Sequence, residues 1–147
     1  MNPHITIIYV YFNTPREILD SINSLDLAIE KIPYEVIIVD NASDKGVPKF
    51  KKRSEVKIIR NKQNFGYGKA MNQGAKVARG EYLLLMNPDT IFQKYAILEL
   101  FNRIRNDSSV GVIGPQQLDK SKKVIQSYNS IPLLPDALFV FSFINKI

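Results

Sequence analysis

The sequence predicts an α/β fold in which a mostly parallel, doubly wound sheet carries helices on both of its faces. Three observations predict it. The runs "ITIIYVYF" and "YEVIIVD" are apolar on both parities and rich in β-branched residues, as strands covered on both faces must be. Segments with helical apolar spacing alternate with such runs, which argues for parallel strands joined by crossovers. Turn-forming or polar residues follow the runs at once, so each strand ends sharply. With 147 residues, 45% of them hydrophobic and 23% charged, the chain suits one domain with a substantial core.

The first strand is read over Ile5 to Phe12. In "NTPRE" that follows, Thr14, Pro15 and Glu17 take the N-cap, first and third helical positions, the pattern of a capping box with proline at the first turn. The helix stripe runs Ile18, Leu19, Ile22, Leu25 and Ile29, and Pro33 stops it. Tyr34 to Asp40 is the second strand, "NASDKG" collects turn formers, and Val56 to Ile59 is the third.

From Phe65 to Gly80 the spacing predicts a helix with Ala70, Gly74 and Ala78 four apart, small side chains that let a helix lie close to a sheet. Gly80 suits a left-handed residue after the helix end. "EYLLLMN" is the fourth strand. Its leucines belong in a core, and Pro88, which cannot donate to a ladder, ends it. "YAILELFNRIRND" is helical through Ile97, Leu100, Phe101 and Ile104, and "VGVIG" reads as another short buried strand.

Beyond Gly114 the pattern suggests a hairpin around Asp119 to Lys122 and then the apolar tail "LLPDALFVFSFINKI". The tail falls short of the roughly 20 apolar residues that span a bilayer, which leaves a docking helix, a membrane-surface contact or a chain cut short.

Cysteine is absent, so disulfides and thiolate metal sites are excluded and any metal must be held by oxygen or by His4. His4 has no second imidazole near it in the sequence and reads as a surface residue. No signal-peptide pattern opens the chain, and a cytoplasmic address is expected. The net charge of +6 owes much to Lys49, Lys51, Lys52 and Arg53, either a solvated segment or a patch for phosphate or anionic lipid. It carries no nucleic-acid motif, and no nucleic-acid partner is expected.

In open parallel sheets, ligands bind beyond the carboxyl ends of the strands. Those ends carry Asn13, then Asp40 and Asn41, then Asn87 and Asp89. Each has an ordinary structural reading. Asn13 and Asn41 can satisfy turn backbone, and Asp40 and Asp89 can cap turns or helices. Two acids at equivalent strand ends favour a shared site, because turn chemistry alone does not require them. The glycines at 66 and 68 begin a G-x-G-x-x-G pattern whose third position falls on Met71, so the dinucleotide fingerprint fails; a phosphate loop and a nucleophile elbow are also absent.

The segments "VYFNTPREILDSINSL", "EVIIVDNASDKG", "NKQNFGYGKAMNQGAKVARGEYLLLMNPDT" and, more weakly, "VGVIGPQQLD" together resemble the N-terminal, donor-binding half of family 2 glycosyltransferases of the GT-A type, closest to rhamnosyltransferase-like members. The resemblance implies a nucleotide-sugar-binding domain over residues 1–147, with residues 115–147 beginning the acceptor side. It implies that Phe12 lies beside the nucleotide base and that Asp40 hydrogen-bonds it. The stretch from Asn64 through Gly66 to Asn72 would close over the nucleotide sugar.

"NPD" matches the family's Asp-x-Asp position, with Asp89 the ligand of Mn²⁺ or Mg²⁺ and Asn87 replacing the first acid. The implied donor is a dTDP- or UDP-sugar and the acceptor a saccharide or lipid-linked sugar of cell-surface polysaccharide synthesis, with peripheral contact at the inner membrane face. No match to the family's base-bearing acidic motif occurs before Ile147, which implies a donor site without its base. Asp119 and Asp136 read as turn acids. The alternatives are a non-catalytic nucleotide-sugar binder and a basic domain that docks to anionic membrane.

Overall fold

The computed structural model describes residues 3–50 and 56–126. Lys51, Lys52, Arg53, Asp136 and the apolar tail lie outside them. Two compact units divide the chain after Val112.

In the first unit, β1 (Ile5–Tyr11), α1 (Pro15–Ile29), β2 (Tyr34–Asp40), β3 (Val56–Arg60), α2 (Tyr67–Ala75), β4 (Tyr82–Met86) and α3 (Ala96–Asn106) follow in that order. The sheet order is β3-β2-β1-β4 and every pairing is parallel. The expected doubly wound sheet is therefore present. Its strands run outward from β1 to β3 on one side, and the chain then crosses to the other side for β4, which puts the switch point between β1 and β4.

All of β1 is buried. Ile5, Ile7, Tyr9 and Tyr11 pack with α1 and α3 through Ile18, Ile22, Leu25, Ile97 and Phe101. Ile8 and Val10 face Ala70 and Met71 of α2, so helices cover both faces. Two residues of the small-residue stripe, Ala70 and Gly74, act on α2 as expected, since a Cβ on Gly74 would stand 2.5 Å from Ile8 Cγ2, whereas Ala78 packs on the same cluster from beyond the helix end.

Four expectations differ in detail. Helix α2 ends at Ala75, and Gly80 has no positive φ. Gly80 is instead required by close approach, since a Cβ there would lie 2.5 Å from Thr6 N and 2.7 Å from Ile5 C. Thr14 is the N-cap of α1 but makes no side-chain cap bond, and its buried Oγ1 has no partner among the described residues. The capping box is unmade, and proline at the first turn with the buried stripe carries the helix start.

The leucines of β4 are not all core. Leu83 and Leu85 are 47% and 52% exposed, because α2 packs over β1 and β2 and leaves that strip of the edge strand uncovered. "VGVIG" forms no strand, and Val112 is 91% exposed. Its two glycines leave too few apolar side chains to repay burial, and no described strand offers it a ladder.

In the second unit, β5 (Gln117–Leu118) and β6 (Val124–Ile125) form the expected antiparallel hairpin. Asp119 Oδ1 accepts from Ser121 N and Lys123 N to close the turn.

At the amino end of the sheet, Glu35 is buried and accepts from Thr6 Oγ1 at 2.8 Å, Arg79 N at 2.7 Å and Arg79 Nε at 2.9 Å. Thr6 Oγ1 in turn accepts from Gly80 N, so the connection from α2 to β4 is tied to β1 and β2. Burial alone pushes the Glu35 carboxyl up; the Arg79 amide, the Thr6 hydroxyl and the Arg79 guanidinium outweigh it and hold the group below its ordinary value of 4.5.

Two expected outcomes follow from this packing. Gly80→Ala destabilises the chain by about 1–3 kcal/mol, whereas Gly68→Ala, with nothing near its Cβ, leaves stability unchanged or raises it by up to about 1 kcal/mol, both read by urea unfolding. Glu35→Gln costs about 1–3 kcal/mol at pH 7. Because the folded carboxyl titrates below the unfolded one, its contribution is complete above pH 4.5 and is lost as pH falls through the lowered value. The stability gap between wild type and Glu35→Gln should therefore narrow as unfolding is measured at falling pH.

Candidate functional site

The register places Tyr11, Asp40 and Arg60 side by side at the carboxyl ends of β1, β2 and β3. Alternation along β2 sends the next residue, Asn41, to the opposite face. The two polar residues expected at this strand end therefore serve different sides of the sheet.

On the α1 side, Asp40 is 3% exposed and its Oδ1 accepts from Ser43 N at 2.9 Å, closing the turn after β2. Its Oδ2 lies 3.9 Å from Arg60 Nε, too long for a hydrogen bond, so this oxygen keeps accepting capacity. Asp40 is thus a turn cap with one oxygen to spare. Burial first, then the carboxylates of Asp40 and Glu17, raise the pKa of the Tyr11 hydroxyl, which donates to Gly46 O at 3.2 Å.

The turns after β1 and β2 clasp each other. Asn13 Nδ2 donates to Asp44 Oδ2 at 3.1 Å, Asp44 N donates to Asn13 Oδ1 at 3.0 Å, and Asn13 N donates to Ser43 Oγ at 3.0 Å. Both turns contain left-handed residues, Asn13 at φ 54° and Ala42 at φ 70°, and asparagine tolerates that conformation better than most residues. Phe12 stands 46% exposed beside this clasp in sequence.

On the α2 side, Asn41 is 2% exposed and lies among Asn61, Asn64, Phe65 and Gly66. Gly66, at φ 79°, is the N-cap of α2. Asn72 is exposed on α2, and its side chain makes no hydrogen bond among the described residues.

Across the switch point, Asn87 and Asp89 are exposed in the turn that closes with Thr90 N donating to Asn87 O at 3.3 Å. Among the described residues the Asp89 carboxylate has no hydrogen-bond or ion-pair partner. The chain beyond it is pinned to α1, with Phe92 N donating to Ser24 Oγ at 3.0 Å and Tyr95 N to Leu27 O at 3.0 Å. No group of three or more His, Cys, Asp or Glu among the described residues is arranged to hold a metal. A lone exposed carboxylate suits an ion whose other ligands are phosphate oxygens and water, and does not suit a caged structural ion.

Asn13, Asp40, Asn41, Asn64 and Gly66 are thus joined through contacts at the strand ends, while Asn87 and Asp89 follow β4 on the other side of the switch point. His4 sits at the other end of the sheet, exposed, with its ring 5.9 Å from that of Phe101. Sequence reading missed Ser43, Asp44, Arg60, Asn61 and Gln73. The run "NASD" and the polar pair Arg60 and Asn61, at and just past the end of β3, were the available signals.

A parallel sheet with helices on both faces, and with carboxylates at or just beyond the carboxyl ends of β2 and β4, is an α/β domain with its polar groups where open sheets bind ligands. The chain belongs to glycosyl transferase family 2, whose pattern matches residues 6–143. It is similar to an uncharacterized glycosyltransferase of Methanocaldococcus jannaschii, 24% identical over 76% of this chain and 40% of that protein. It is also similar to the poly-beta-1,6-N-acetyl-D-glucosamine synthase of Staphylococcus aureus, 25% identical over 74% of this chain and 27% of that protein. Among solved structures, S. aureus TarS 1-349 in complex with UDP-GlcNAc superposes with a TM-score of 0.59 at 24% identity, over 69% of this chain and 31% of that one, a likeness of fold. The chain therefore spans less than half the length of these relatives.

The clasp between the two turns gives a direct expectation. In a double-mutant cycle of Asn13→Gly, which spares the backbone, and Asp44→Ala, unfolding free energies should show a favourable coupling of about 0.5–1.5 kcal/mol. Strict additivity would mean that the Asn13 Nδ2–Asp44 Oδ2 bond, the one that both substitutions remove, contributes nothing.

Proposed function

We propose that this chain is the donor-binding part of an inverting glycosyltransferase that binds a nucleotide-diphosphate sugar with Mn²⁺ or Mg²⁺ and serves cell-surface polysaccharide synthesis. The observation that carries the reading is the pair of carboxylates on either side of the switch point: Asp40 with one oxygen left over from its turn, and Asp89 exposed with no partner among the described residues.

The spare oxygen of Asp40 suits the N–H of a pyrimidine base, and exposed Phe12 offers a face for the ring. Uracil and thymine present the same N–H, so one acceptor serves a UDP- or a dTDP-sugar. The relatives named for N-acetylglucosamine and UDP-GlcNAc put UDP first and leave dTDP-rhamnose as the second donor. Asp89, with Asn87 beside it, would hold the divalent ion, which supplies charge to stabilise the departing diphosphate. Asn64 and Gly66 stand where the sugar or diphosphate would meet the start of α2.

Transfer also needs a carboxylate base for the acceptor hydroxyl, a saccharide or lipid-linked sugar. Asp107 and Asp119 do not suit that role. Hydrogen bonds from the Ser109 and Ser121 hydroxyls, together with turn amides, hold both carboxyls below the ordinary range, which weakens them as bases. The chain spans less than half the length of the relatives above, and in this reading the base belongs to the part of the family that it does not match, so this chain alone is expected to bind donor without transferring sugar.

Thermal unfolding with UDP, dTDP or GDP, each with and without Mn²⁺, tests the reading. A nucleotide at a hundredfold over its dissociation constant stabilises by about 2.7 kcal/mol, several degrees in a domain of this size. The expected result is a metal-dependent rise with UDP or dTDP that Asp89→Ala abolishes. A cooperative transition that none of the three nucleotides moves would overturn it.

A further inference from the structure

The amide side chains between β2 and α2 form a hydrogen-bond circuit whose direction is dictated by two backbone groups. Phe65 N–H and Gly66 N–H can only donate. The Asn41 atom 3.0 Å from Phe65 N is therefore Oδ1, and so is the Asn64 atom 2.9 Å from Gly66 N. Asn41 Nδ2 must then point at Asn64 Oδ1, 2.6 Å away, and at Gly66 O, 3.5 Å away. The second lone pair of Asn41 Oδ1 takes Asn61 Nδ2 at 3.1 Å, and that same nitrogen gives its other hydrogen to Gln73 Oε1 at 2.8 Å. Asn61 is itself fixed at the end of β3, where its backbone N–H donates to Asp40 O at 2.9 Å.

The consequence is an exact accounting for Asn41. Both of its amide hydrogens and both of its lone pairs are engaged inside the protein, and it is 2% exposed, so it has nothing left to offer a ligand. Asn64 is different. Its Oδ1 is taken twice, whereas its Nδ2 has no partner among the described residues and the residue is exposed.

We propose that Asn41, Asn61 and Gln73 are positioning residues whose one-way relay of amide hydrogen bonds holds the Asn64–Gly66 loop so that Asn64 Nδ2 faces outward as a donor to an oxygen of the bound nucleotide sugar. The ligand's identity rests on the function proposed above; the relay itself does not. Asn41 thereby moves from a ligand-contacting role to a supporting one, and Asn61 and Gln73 enter the site.

The relay's direction makes two isosteric substitutions behave differently. Gln73→Glu keeps an acceptor facing Asn61 Nδ2 and leaves the relay whole. Asn61→Asp removes the donor and sets a carboxylate against Asn41 Oδ1. Asn41 must then either hold its place against the repulsion, which loosens its Oδ1 from Phe65 N–H, or turn over, which aims its Nδ2 at Phe65 N–H and loses the bond. Each change adds one negative charge at the same contact, and a role in packing alone would make the two equivalent.

Amide hydrogen exchange of the intact chain, resolved by NMR at Phe65 and Gly66, reads the difference without any ligand. Expected is a fall of about tenfold in Phe65 protection in Asn61→Asp, with protection within about twofold of wild type in Gln73→Glu and the β1 amides unchanged in both. Equal protection in the two variants, whether retained or lost, would overturn the relay. Calorimetric titration with UDP and Mn²⁺ then reads its use: affinity should fall about tenfold in Asn61→Asp, and also in Asn64→Asp, which keeps the acceptor for Gly66 N but lacks the outward donor. Unchanged affinity in Asn64→Asp would overturn the outward-donor half of the proposal. If wild type binds none of the nucleotides while the exchange contrast holds, the relay stands and the nucleotide reading fails.

Discussion

Strand β1 has parallel neighbours on both edges and helices over both faces, so all of its residues are buried and the helices on both faces are positioned against it. Helix α2 can approach only because Gly74 leaves room over Ile8, and the chain can return to β4 only because Gly80 passes against the backbone of Ile5 and Thr6. Glu35 and Thr6 lock that return at the amino end of the sheet. The amino end is thus a fastening, which leaves the polar groups at the carboxyl end free of that task.

At the carboxyl end, one strand terminus is divided between two tasks. Asp40 turns to the α1 side, where it shapes the turn and keeps an oxygen in reserve, while Asn41 turns to the α2 side and is consumed by the loop that starts α2. This separation follows from the two-residue period of a strand. In the function proposed above, Asp40 would read the base and Asn41 would support the loop over the sugar, a division that adjacent positions at one strand end allow.

Most of the scaffold was legible because the signals were local. The β-branched runs gave β1, β2 and β3, helical spacing and Pro15 gave α1, and Asp40, Asn41 and Asp89 stood out as polar ends to apolar runs. What escaped depended on distant partners. Whether Thr14 bonds an amide, whether Leu83 and Leu85 find a cover and whether Val112 finds a ladder are decided by elements far along the chain. The Asn13–Asp44 and Asn41–Asn61 bonds join residues 31 and 20 positions apart, so turn formers that look interchangeable in sequence become specific partners only after the sheet has brought the loops together.

The half-exposed leucines of β4 bear on how the chain behaves in bulk solution. Within the described residues β4 is an edge strand, and a ladder edge next to wetted Leu83 and Leu85 is a surface on which copies of a protein can stick. Mutual repulsion from a net charge of +6 opposes that sticking near neutral pH. The isoelectric point lies at about 9.5, so alkaline buffers and high salt, which remove or screen the repulsion, are the conditions in which colloidal stability is lowest.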